Sequence, residues 1–185
     1  LEAVYVDKHY NLVVECKQGS KKAHYELYKL YSKAMLNTAF RIVDNLDEAQ
    51  DVLQEAFLDA FARIHDFRQE TTFGLWLKQI VVHRAINLLR KRKMDLVSID
   101  DEQIEIANEE VYDDEETIYK VEQIKAAIKE LPEGYRLVLS LYLLEGYDHE
   151  EISEILSINQ NTSRTQFLRA KRKLIDILKQ RGIAS

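Results

Sequence analysis

Residues 148–174 read DHEEISEILSINQNTSRTQFLRAKRKL. Stepping about 100° per residue, Ile152, Ile155 and Leu156 fall on one side of a short helix over 149–156, and Ile158 closes the turn that follows. A second, longer helix from about Thr162 to Gln180 places Phe167, Ala170, Leu174 and Ile177 in an apolar stripe. Thr165, Arg169 and Arg172 point away from that stripe, with Gln166 and Lys173 on one flank and Leu168 on the other. Between Thr162 and Arg181 there are seven cations and a single acid, Asp176. A short helix and a longer one joined by a tight turn, the second basic and carrying short polar and cationic side chains near its start, read as a helix-turn-helix whose second helix enters a major groove.

The rest of the chain is consistent with a helical protein. Of 185 residues, 46% are hydrophobic, enough for a core, while five glycines and one proline are too few turn residues for a sheet-rich fold. The fold class expected is all-α. The single cysteine, Cys16, excludes an internal disulfide framework and suits a reducing cytoplasm. No apolar run approaches the roughly 18 residues of a membrane span, and no signal peptide is visible.

The net charge of −6 is unevenly spread. Residues 1–94 carry 15 basic and 12 acidic side chains, residues 117–185 carry 11 basic and 9 acidic, and residues 95–116 hold 11 acids and no base. This last segment lacks helical periodicity, so it is expected to be an acidic, flexible linker between a domain over 1–94 and a second over 117–185.

In the first domain, helices are expected near 21–43, 46–65 and 73–93, with Asn45 or Asp44 capping the second. That second helix has a buried stripe of Ala49, Val52, Leu53, Ala56, Phe57, Ala60, Phe61 and Ile64. It also has a separate face of Asp51, Gln54, Glu55 and Leu58, where a leucine inside an acidic strip favours a partner surface. In the third, FGLWLKQIVVHRAINLLRKRK, a wheel centred on Val81 gathers Leu77, Ile80, Ala85 and Leu88. Trp76, Gln79, His83, Asn87 and Arg90 fall opposite, and four cations, Arg90 to Lys93, end the helix. An outward row of indole, amide, imidazole and guanidinium suits unpaired bases stacked on the Trp with phosphates near the cations.

Catalytic signatures are missing. The five histidines share no ligand spacing, and without a cysteine cluster no metal site is expected. There is no Gly-rich phosphate loop and no nucleophile elbow. The expectation is a binding protein with no cofactor, not an enzyme.

The order of parts carries a resemblance. The segment DEAQDVLQEAFLDAFARIHDFRQETTFGLWLKQIVVHRAINLLRKRK is similar to the sigma-two domain of bacterial RNA polymerase sigma factors of the extracytoplasmic-function (ECF) group of the sigma-70 family. The segment IKELPEGYRLVLSLYLLEGYDHEEISEILSINQNTSRTQFLRAKRKL resembles their sigma-four domain. The resemblance implies a cytoplasmic subunit that joins core RNA polymerase, directs transcription initiation at promoter DNA and is often held inactive by an anti-sigma partner. It implies that Asp51, Gln54, Glu55 and Leu58 meet polymerase. It further implies that Phe67, Arg68, Phe73, Trp76, Gln79, His83 and Arg90 meet the minus-ten element. Arg164, Thr165, Leu168 and Arg169 are implied to read the minus-thirty-five element, to which the outward periodicity adds Arg172. In this pattern His83 stands where the family commonly has Asn, Ser157 where it has a turn Gly, and Ser163 where it has Val. The rival reading is a helix-turn-helix regulator that binds an operator without polymerase.

Overall fold

The computed structural model describes residues 7–95 and 115–183, and the chain divides into two units, one ending at Met94 and the other starting at Asp95. Every regular element among the described residues is helical. The predicted linker lies mostly outside them; its end residues Asp95, Glu115 and Glu116 belong to the flanking helices.

The first unit contains α1 (Tyr10–Lys17), α2 (Lys21–Val43), α3 (Leu46–Ala62), a single 3-10 turn over Ile64–Asp66, and α4 (Phe73–Asp95). Helix α1 was not expected from the sequence. It is eight residues long and buries only Val13 and Cys16, too short a stripe to establish a period. Helix α2 starts at Ser20, whose hydroxyl accepts from the Ala23 amide at 3.3 Å. It ends at Asp44, which takes the left-handed conformation (φ 54°) that Asp and Asn tolerate best after Gly. Asn45 is then the cap of α3, its carbonyl oxygen accepting from the Glu48 amide at 3.0 Å.

The buried stripe of α3 is Ala49, Val52, Leu53, Ala56, Phe57 and Ala60, continued by Ile64, while Phe61 is half-buried with its ring edge-on to His24 at 4.6 Å. In α4 the buried line is Phe73, Leu77, Val81, Val82, Ala85, Ile86 and Leu89. Ile80 and Leu88, expected inside, are half-buried instead. More than half of this helix's circumference is apolar, so a wheel alone cannot choose the centre of the buried arc, and packing places it towards Val82 and Ile86.

The second unit contains α5 (Glu115–Lys129), α6 (Glu133–Leu143), α7 (His149–Leu156) and α8 (Gln160–Gln180). Pro132 is the N-cap of α6, where its missing N–H costs nothing. Helix α7 opens with a capping box: Asp148 Oδ1 accepts from the amides of Glu150 (2.8 Å) and Glu151 (2.9 Å), and the Glu151 carboxylate accepts from the Asp148 amide at 2.8 Å. Helix α8 begins two residues earlier than expected because the Asn159 side chain caps it, accepting from the Asn161 amide at 2.8 Å. Ala127, Leu131, Leu139, Ala170 and Ile177 form a core cluster that ties α5, α6 and α8 together.

Candidate functional site

The walls of α3 and α4 enclose a groove of about 790 Å³. Asp51, Glu55 and Asp59 line it from α3, and Trp76, Gln79 and His83 line it from α4. The acidic face and the aromatic-amide row, two separate surfaces in the sequence, therefore border one groove. Ion pairs link the two helices that form it. Arg84 Nε donates to Asp59 Oδ2 at 2.6 Å, the same guanidinium donates to Glu55, and Arg92 donates to Glu48 at 2.9 Å. Arg84 had no role assigned from the sequence, and Arg92 counted only as one of the four cations ending the helix; their partners Asp59 and Glu48 sit 25 and 44 residues away.

On α3, Asp51, Gln54, Glu55 and Leu58 are all exposed, and Leu58 is 70% accessible. A leucine that open to water, on a helix whose other large apolar side chains are covered, marks a surface available to a partner.

On α4, Gln79, His83 and Arg90 are exposed, with Arg90 donating to the Asn87 side chain at 3.4 Å. Trp76 does not stand fully outward, as the wheel implied. It is half-buried, its indole tilted against Phe67 (5.3 Å) and Phe73 (5.8 Å), which meet each other edge-on at 5.9 Å. Phe67 and Phe73 are 3% and 0% accessible. Expected as direct DNA contacts, they form the bed beneath Trp76, because the loop between them folds back and returns both rings to the core. Arg68, next in the loop, is exposed. The result is an indole fixed from below at the edge of a groove lined by hydrogen-bonding side chains, an arrangement that can stack an unpaired base.

In the second unit, Arg164, Thr165, Leu168, Arg169 and Arg172 are all exposed along α8, with Leu168 55% accessible. Thr165 donates its hydroxyl proton to the Asn161 carbonyl at 2.8 Å, which fixes its rotamer. Arginines offer bidentate donors to guanine, and apolar groups such as the Thr methyl and Leu168 suit a thymine methyl. Ser163 is buried, its Oγ 2.9 Å from His149 Nδ1, and His149 in turn stacks on Tyr142 at 4.6 Å. His149 had no role in the sequence reading; here it joins the start of α7 to the first turn of α8 and so helps set the angle of the recognition helix.

Among the described residues no group of three or more His, Cys, Asp or Glu side chains could hold a metal ion.

Comparison with known proteins agrees with this anatomy. Residues 27–94 match the family described as Sigma-70 region 2, and residues 121–174 match Sigma-70, region 4. RNA polymerase sigma factor SigV of Bacillus subtilis is 34% identical over 159 residues, covering 86% of both chains. The ECF RNA polymerase sigma-E factor of Escherichia coli K12 is 31% identical over 170 residues, covering 86% of this chain and 88% of that one. Among solved structures, the sigma factor RpoE from Bartonella quintana, crystallised with the anti-sigma factor NepR, shares the fold at a TM-score of 0.57 and 22% identity, covering 84% of this chain and 96% of that one. The chain belongs to the sigma-70 family of RNA polymerase sigma factors, in its extracytoplasmic-function group.

Proposed function

We propose that this sigma factor divides its work between its two units as follows. The α3 face of Asp51, Gln54, Glu55 and Leu58 docks on core RNA polymerase. The neighbouring α4 row holds the unpaired minus-ten strand, with a base stacked on Trp76, base edges at Gln79 and His83, and phosphates at Arg68 and Arg90. Helix α8 reads the minus-thirty-five element through Arg164, Thr165, Leu168, Arg169 and Arg172. The acidic segment over 95–116 joins the two. Phe67 and Phe73 act from beneath, by setting the plane of the indole.

The observation that carries this reading is Trp76 itself. It is supported on one side by two buried phenylalanines and borders the groove that the acidic α3 face also lines. Base–aromatic stacking is sequence-tolerant and requires a base freed from its duplex, which is what a promoter-opening subunit meets.

The family is one of sigma factors, which are not catalytic enzymes; the bond-forming chemistry is assigned to polymerase. No helix among the described residues is long and apolar enough to cross a membrane, and a polymerase partner supports a cytoplasmic location. An anti-sigma factor is the expected regulator, since a solved sigma factor of this fold carries one.

Run-off transcription with core polymerase on a promoter library tests the reading. The wild-type chain should direct specific initiation, whereas an operator-binding regulator would not. Trp76→Ala should weaken open-complex formation by about 1–3 kcal/mol, the worth of one base–aromatic stack, and leave closed-complex binding near wild type. Equal loss of thermal stability and of activity would make Trp76 a core residue only.

A further inference from the structure

The segment ahead of α2 has no part in the roles described so far, yet it holds both ends of the loop that carries Phe67 to Phe73. At the near end, Lys17, the last residue of α1, donates from Nζ to the Phe67 carbonyl oxygen at 2.9 Å and lies 5.9 Å over the Phe67 ring. At the far end, Asp7 Oδ2 accepts from the Phe73 amide, the first N–H of α4, at 2.6 Å. The other oxygen of the same carboxylate accepts from the His9 amide at 2.9 Å, and the Asp7 carbonyl accepts from the Tyr10 amide at 3.1 Å. Asp7 thus shapes the turn that leads into α1, whose N-cap is His9, and places a negative charge on the positive end of α4. His9 continues the contact: its Nδ1 is 2.8 Å from the Tyr31 hydroxyl, and Tyr31 packs against Phe73 at 5.5 Å. Tyr31 also lies so close to Gly74 that a Cβ there would fall 2.7 Å from the ring.

Between the two pins the loop holds Gln69 at φ 65°. A non-glycine residue in the left-handed region persists where its surroundings over-determine it, and the pins at Phe67 and Phe73 supply that constraint. Trp76 begins its first helical hydrogen bond one turn after this start, its amide donating to Thr72 at 3.1 Å. Its indole rests on the two phenylalanines whose main chains are pinned.

We infer that Asp7 and Lys17 are positioning residues for base capture, a brace from the N-terminal segment that fixes the loop of residues 67–73 and holds Trp76 in the orientation an unpaired base requires. This rests on the assignment of Trp76 as the base platform. Neither residue touches DNA in this scheme.

The test uses the full chain and its holoenzyme on a promoter selected by the wild type. Asp7→Ala, Lys17→Met and Lys17→Arg are compared with Trp76→Ala. Trp76 is the only tryptophan, so intrinsic fluorescence reports its surroundings directly. Asp7→Ala and Lys17→Met should shift the emission of the free protein and lower heparin-resistant open complexes at least fivefold. Core-polymerase affinity should stay within twofold of wild type. Lys17→Arg, which still donates to the Phe67 carbonyl, should restore both readouts. The Lys17 pair keeps the test decisive if Asp7→Ala fails to fold. A defective Trp76→Ala beside wild-type opening and emission in Lys17→Met overturns the brace alone. Loss of core affinity in step with opening, without change in emission, reduces it to general stability and also overturns it. Wild-type opening by Trp76→Ala removes the base-capture reading and the brace with it.

Discussion

Arg84 and Asp59 join the two helices that carry the candidate polymerase and DNA faces, with Nε 2.6 Å from Oδ2. The guanidinium also donates to Glu55, so a residue on the α4 side holds a carboxylate of the α3 face in place. Asp59 is about two-fifths exposed and Glu55 more so. Solvent screens both pairs and keeps their stabilisation near the surface-pair range of about 0.2–1 kcal/mol.

Arg84→Ala is accordingly expected to cost the first unit no more than about 1 kcal/mol, with a smaller loss at high salt. Polymerase affinity should change in the presence of Glu55 and not in a Glu55→Ala background, because the arginine acts on that face through the carboxylate. A double-mutant cycle on core binding measures this coupling directly. An Arg84 effect that survives removal of Glu55 contradicts it.

The α3 face separates binding from folding. Asp51 and Gln54 are exposed and lie off the buried stripe, so Asp51→Ala with Gln54→Ala should change stability by less than about 0.5 kcal/mol while weakening the complex with core polymerase. Circular dichroism and a core-binding titration on the same preparation decide the matter. Native helicity with unchanged affinity would remove this face from the interface.

Ser157 sits at φ 54°, ψ 46° at the end of α7, where the resemblance drawn from the sequence leads one to expect Gly. Left-handed backbone costs a residue with a Cβ about 1–2 kcal/mol, and glycine gives back about 0.5–1 kcal/mol in unfolded-chain entropy. Ser157→Gly should therefore stabilise the helix-turn-helix by up to about 1 kcal/mol. Chemical denaturation of the full chain, followed by a probe in the second unit, reads the change. A destabilised variant would mean that the serine side chain contributes more than its backbone strain costs.

Tyr147, 8% accessible, has its phenol pushed up to about 12 by burial, and further by Glu145 and Glu151. The neutral, protonated form is the one the fold favours. Its contribution is complete below the ordinary tyrosine value near pH 10 and is lost as pH rises through about 12, amounting to roughly 2–3 kcal/mol at most. Stability measured from pH 9 to 12 should fall more steeply for the wild type than for Tyr147→Phe. Parallel curves would show that the phenol does not feel its surroundings as described.

Periodicity is strong where a helix is apolar on one side only. The stripe of α3, the bounds of α2 and α7, and the outward set of α8 were all legible, because a narrow apolar arc admits one orientation; the cap of α3 was legible as Asn45 or Asp44, because capping is local chemistry. The arrangement of parts and the resemblance to sigma factors were legible for the same reason: they rest on residue order. What the sequence could not decide depends on residues far apart in the chain. The resemblance implied DNA contacts at Phe67 and Phe73, but the folded loop turns both rings into the core beneath Trp76. The wide apolar surface of α4 left its buried arc open until neighbouring helices chose it. The meeting of the acidic face with the Trp76 row across one groove, the clasp of Arg84 on Asp59, and the hold of Asp7 and Lys17 on a loop 66 and 50 residues away are contacts between side chains that no local pattern links. Helix type and face follow from short-range spacing, which the sequence contains; the pairing of faces follows from packing, which only the folded chain supplies.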